Sequence, residues 1–151
     1  MNDVGWEHDI KILNSLIETT LASVAGYREA ARDATNPRYR NLFQRRAAER
    51  CQVADDLQRQ VRALGGKPEN DGSELAAGDR VFLTLHESLT RGDDCILTEV
   101  ERGEDYITNK YEEAIDDDDL SVNIRTAVVR AYASVKSGHD QMRGLTRLRR
   151  T

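Results

Sequence analysis

The chain has 151 residues, 22 Lys and Arg against 27 Asp and Glu, 38% hydrophobic residues and only 5% aromatic ones. A chain of this size buries roughly two thirds of its unfolded surface in one core and needs neither a disulfide nor a structural metal, whereas two domains would each be marginal. The net charge of −5 argues against nonspecific nucleic-acid binding and against adhesion to anionic lipid, since both draw on excess cations.

Only two prolines, Pro37 and Pro68, interrupt the chain, and no stretch alternates strictly between apolar and polar residues, so helices are expected throughout. Ile10, Leu13, Ile17, Thr20, Val24, Tyr27 and Ala31 recur at intervals of three and four, which predicts helix 1 over residues 9–33. Asn36 as cap and Pro37 at the first helical position, where a missing N–H costs nothing, open helix 2 over residues 37–64. Gly65-Gly66 closes it, with Pro68 just beyond. A polar stretch, GGKPENDGSE, then leads into Leu75, Val81, Phe82, Leu85 and Leu89, read as a short helix over residues 73–90. Asp93 and Asp94 suit the N-terminal dipole of helix 3, expected over residues 93–115. Helix 4, over residues 120–148, follows the Asp116 to Asp119 run and ends among arginines that suit its C-terminal dipole.

Short connections within the pairs 1–2 and 3–4, and a 27-residue excursion between helices 2 and 3, predict two antiparallel hairpins joined by a long crossover. That is an all-α, ferritin-like four-helix bundle forming a single domain over residues 1–151, with up-and-down topology plus an inserted helix as the alternative. Cys51 and Cys95 form no CxxC pair and are expected as free thiols in a reducing cytoplasm. No signal peptide or apolar run of about 18 residues is evident, so a cytoplasmic location away from membranes is expected.

The dinuclear iron or manganese site of such bundles takes a Glu from two helices and Glu-x-x-His from the other two. Here the residues three places before His8, His86 and His139 are Gly5, Leu83 and Lys136, so no Glu-x-x-His exists. Glu18, Glu49, Glu101, Glu104 and His139 could make at most a depleted site. Helical projection instead turns Arg46 and Arg50 of helix 2, Glu104 of helix 3 and His139 of helix 4 inward, and Tyr27 belongs to the apolar face of helix 1. Buried charges must be paired, which suggests a network of Arg46, Arg50, Glu104, His139 and Tyr27. The alternative is that the long side chains snorkel to the bundle edge. His8 and Trp6 read as surface or helix-packing residues. The four Asp lack the spaced oxygens and glycine of an EF-hand loop and read as a solvated turn. The arginines from Arg143 to Arg150, without interleaved aromatics, make a poor nucleic-acid footprint. No GxSxG, P-loop or GxGxxG motif occurs.

The stretches LNSLIETTLASVAGYREAARDATNP, LFQRRAAERCQVADDLQRQVRALGGKPE, GDDCILTEVERGEDYITNKYEEAI and VKSGHDQM resemble the bacterial ferritin-like family known as domain of unknown function 2383. The resemblance runs from about Asp9 to Leu148 and implies a small ferritin-like bundle with no assigned activity. It touches Glu18, Gly26-Tyr27, Arg46, Glu49-Arg50, Glu101, Gly103-Glu104 and His139. The expectation is therefore a noncatalytic, metal-free bundle, a binding or stress-associated structural protein and a homodimer, with its small-molecule or protein partner unspecified. An iron- or manganese-binding protein with oxidase or metal-handling activity is the alternative, and a module holding an anion on Arg46 and Arg50 is a third reading.

Overall fold

Prolines, glycines and caps set the helix limits. In the computed structural model, which describes residues 3–70 and 92–150, four helices follow one another: α1 (Asp3–Asp33), α2 (Pro37–Ala63), α3 (Asp93–Ile115) and α4 (Val122–Arg150). The expected helix over residues 73–90 lies outside the described residues. Asn36 stands extended before α2 and its side chain accepts the Arg38 N–H at 2.9 Å, with Pro37 in the first turn. The other end of α2 closes in a Schellman motif: Gly66 N–H donates to the Val61 carbonyl at 3.0 Å and Gly65 N–H to that of Arg62 at 2.9 Å. This turn needs Gly65 at φ +83°, a conformation that a Cβ disfavours.

Two helix starts differ from the sequence expectation, and α2 and α4 end at Ala63 and Arg150 rather than at 64 and 148. Helix α1 begins at Asp3 rather than Asp9, because Asp9 is used from inside the helix: buried, it accepts hydrogen bonds from the Ser121 N–H at 3.0 Å and from the Ser121 hydroxyl. Helix α4 begins at Val122, after a turn held by Arg125. That guanidinium donates to the carbonyls of Ile115, Asp117 and Leu120, supplying partners at the end of α3.

Contacts between residues distant in the chain, at the two ends of the bundle, decide the topology. Asp93, the first residue of α3, accepts from Thr35 N–H at 2.9 Å, Thr35 Oγ1 at 3.1 Å and Asn36 N–H at 3.0 Å, so α3 starts where α1 ends. At the opposite end His8 Nε2 meets Asp117 Oδ2 at 2.8 Å, so α3 ends where α1 starts. Helix α3 therefore runs antiparallel to α1 and parallel to α2, and the chain from Ala63 to Asp93 joins opposite ends of the bundle. An up-and-down bundle would instead start α3 beside Gly65. Helix α1 packs on α2 and α3, and α4 packs on the same two, leaving α2 and α3 diagonal to each other.

The apolar interior is divided. One cluster, near the α1–α2 turn, contains Tyr27, Phe43, Leu97 and Met142; the other, towards the α3–α4 turn, contains Leu13, Leu57, Tyr111 and Val128. Between these layers, at mid-height on every helix, stand buried Ser23, Arg50, Glu104 and Gly138.

Candidate functional site

The residues at mid-height form a buried ion pair. Arg50 of α2 and Glu104 of α3 are each 0% exposed and meet across the bundle diagonal. Arg50 Nη1 donates to Glu104 Oε1 at 2.8 Å and Nη2 donates to Oε2 at 2.6 Å, a two-pronged match of planar guanidinium to planar carboxylate. Nη1 also donates to Ser23 Oγ at 2.7 Å, and Nη2 reaches the Val135 carbonyl at 3.4 Å. The guanidinium carbon lies 5.6 Å from the centre of the Tyr27 ring, within the range of cation–π attraction. Burial works against the Arg50 charge, but the Glu104 carboxylate outweighs it and holds the guanidinium proton more tightly than usual. Burial, followed by the Glu104 charge, raises the Tyr27 phenol well above its ordinary value, so it stays neutral.

The four helices contribute differently. Helix α3 supplies the acid one turn from Val100 and Ile107, α1 supplies the small hydroxyl of Ser23, and α4 supplies space. A Cβ built on Gly138 would stand 2.8 Å from Arg50 Nη2 and 3.0 Å from Arg46 Nε. The absent side chain is thus what admits two guanidinium groups. Arg46, 5% exposed, turns towards the α2–α4 seam, where it pairs with Glu49 at 2.6 Å and with Gln141. The Nε atoms of Arg46 and Arg50 have no hydrogen-bond partner among the described residues, a cost accepted beside the stronger bonds at Nη1 and Nη2.

Of the residues that the sequence turns inward, Arg50, Glu104 and Tyr27 meet, and Arg46 lies alongside them. His139 does not join them. Its Nε2 meets Asp105 Oδ1 at 2.6 Å and its Nδ1 meets Asp140 Oδ1 at 3.1 Å, directing it to the α3–α4 seam. Ser23, Asp105, Gly138 and Gln141 complete these contacts without having been singled out in the sequence. Gly138 carried a signal: it occupies the position between Val135 and Met142 on the inward stripe of α4 where an apolar side chain is expected.

The donor set of a dinuclear centre is not assembled here. Both oxygens of Glu104 are held by a cation, and Glu49 is exposed and paired with Arg46. Glu18 and Glu101 are half-buried on α1 and α3. Among the described residues, the one group of at least three His, Cys, Asp or Glu ligand atoms within 4.8 Å of each other excludes all five candidates and lies at the α3–α4 end. A guanidinium at the centre of the bundle repels a second cation, so these residues do not fit the metal pair.

The sequence pattern described as Domain of unknown function (DUF2383) matches residues 8–117. No curated protein matches the chain. Among solved structures, a Dps homologue of the archaeon Halobacterium salinarum is similar with a TM-score of 0.79 at 17% identity, over 97% of this chain and 83% of that one. Dps from Thermosynechococcus elongatus is similar with a TM-score of 0.74 at 12% identity, over 94% of this chain and 92% of that one. The fold is a ferritin-like four-helix bundle.

Proposed function

The chain belongs to the DUF2383 family, and from that premise we propose that it is a noncatalytic ferritin-like bundle, metal-free at its centre, acting as a binding or stress-associated structural protein. One observation carries this reading: Arg50 holds both carboxylate oxygens of the fully buried Glu104. The ion pair provides the positive charge that a metal would otherwise bring to inward acids. It also fixes the register of α2 against α3, since displacement of either helix by one residue strands two charges in a dry core.

The test is elemental analysis of untagged protein expressed with added iron and manganese and purified without chelator, together with an assay of Fe2+ oxidation by O2 or peroxide. Absence of a bound metal pair and oxidation no faster than in buffer are expected. Two ions per chain, or oxidation with turnover, would overturn the reading.

Self-association forms part of the same proposal. Val122 and Val129 are 78% and 45% exposed on α4 and lie seven residues apart, on one face. Such residues suit a homodimer contact, and no helix among the described residues is long and apolar enough to cross a membrane. Light scattering should report a dimer that Val129→Glu converts to monomer; a wild-type monomer at high concentration would refute the assignment.

A further inference from the structure

Two features with no role in the core meet at the end of the bundle. His8, in the second turn of α1, and Asp117, in the Asp116–Asp119 run after α3, are 109 residues apart, yet His8 Nε2 stands 2.8 Å from Asp117 Oδ2. Asp119 adds a carboxylate, and one ligand atom from each of the three residues falls within 4.8 Å of the others. We propose that His8, Asp117 and Asp119 bind one divalent transition-metal ion of the Zn2+ type.

The donor chemistry selects this class of ion. One imidazole nitrogen with two carboxylate oxygens suits Zn2+ and its first-row neighbours, whose bonds to such atoms are about 2.0–2.2 Å. Adjacent donors around such an ion stand about 3–3.5 Å apart, so the 2.8 Å contact between His8 and Asp117 needs only slight opening. Ca2+ requires six to eight oxygens and takes no imidazole. Two carboxylates and a neutral imidazole balance a 2+ charge, and three protein ligands leave positions for water.

The backbone that carries the ligands is already fixed. Asp119 N–H donates to Asp117 Oδ1 at 2.9 Å, so Oδ1 is engaged by the turn while Oδ2 faces His8. Arg125 ties the Ile115, Asp117 and Leu120 carbonyls to the first turn of α4, and Asp9 ties Ser121 to α1. Little ordering is then required on binding. The side chains of His8 and Asp117 are 32% and 22% exposed, sheltered yet reachable from solvent. Helix α3 separates the site from Glu104 by eleven residues to Ile115, about 17 Å at 1.5 Å per residue, so occupancy here is independent of the central ion pair.

Chelator-stripped protein would be titrated with Zn2+ by calorimetry and with Co2+ by visible absorption. One ion per chain, a higher Tm in Zn2+, and affinity lowered about tenfold or more by His8→Ala are expected. Asp119→Asn, which retains the His8–Asp117 hydrogen bond, should also weaken binding and guards against loss of fold in His8→Ala. Absence of Zn2+ binding to the wild type, or binding that survives both substitutions and so belongs elsewhere in the chain, would overturn the proposal. Three ions per wild-type chain, of which His8→Ala loses one and keeps two, would refute the metal-free centre and leave this site standing, so the two readings fail separately.

Discussion

At the residue scale, the central ion pair is valuable because each charge compensates the other. Removal of one partner from a buried pair costs about 3–5 kcal/mol, whereas well-packed apolar replacement of both is often close to neutral. Glu104→Ala should therefore lose about 3 kcal/mol or more by chemical denaturation, and Arg50→Met with Glu104→Leu should recover most of it. A loss below about 1 kcal/mol for Glu104→Ala would show that Arg50 escapes to solvent. Two glycines of α4 make a second comparison. Alanine in an exposed helix position gains about 0.5–1 kcal/mol over glycine, and nothing lies within 4 Å of a Cβ on Gly144. Gly144→Ala should stabilise. Gly138→Ala should destabilise by about 1–3 kcal/mol, because its methyl meets guanidinium groups already held by Glu104, Ser23 and Glu49. Equal effects at the two positions would contradict the crowding seen around Gly138.

At the scale of elements, helix limits set by local chemistry were legible in the sequence. Asn36-Pro37, Gly65-Gly66 and Asp93-Asp94 mark helix ends because capping depends on residues within one turn. The starts of α1 and α4 were less legible, because Asp9 and Arg125 bind turn residues brought near by the fold. Asp93 combines both kinds of role: it lies in the first turn of α3 and accepts three hydrogen bonds from Thr35 and Asn36. Asp93→Ala should cost about 1–3 kcal/mol, and hydrogen exchange should quicken first at the Thr35 and Asn36 amides. Unchanged protection there would mean that the α1–α2 turn holds without α3.

For the whole molecule, alkaline pH probes the interior through its phenols. Burial pushes Tyr111 up to about 12, and a hydrogen bond to Glu112 at 2.6 Å, aided by partial burial, does the same for Tyr132. Tyr27 is also raised, by burial and then by the Glu104 charge. Since these values lie above the ordinary 10.0 of an unfolded chain, the folded state retains protons that the unfolded state loses. The stabilisation is complete below about pH 10 and is lost as pH rises towards 12. Denaturation midpoints should fall across that window while tyrosinate absorbance in the native protein lags behind; flat midpoints would place these phenols in water. The amino-acid sequence by itself determined four amphipathic helices, their hairpin pairing and the inward direction of Arg50 and Glu104, because helical periodicity and turn chemistry are local. Only the tertiary structure decided which inward residues meet, because a helix projection gives each side chain a direction and not a partner. The diagonal placement of α2 and α3 joined Arg50 to Glu104, the α3–α4 seam took His139 to Asp105, and the antiparallel run of α1 and α3 brought His8 to Asp117.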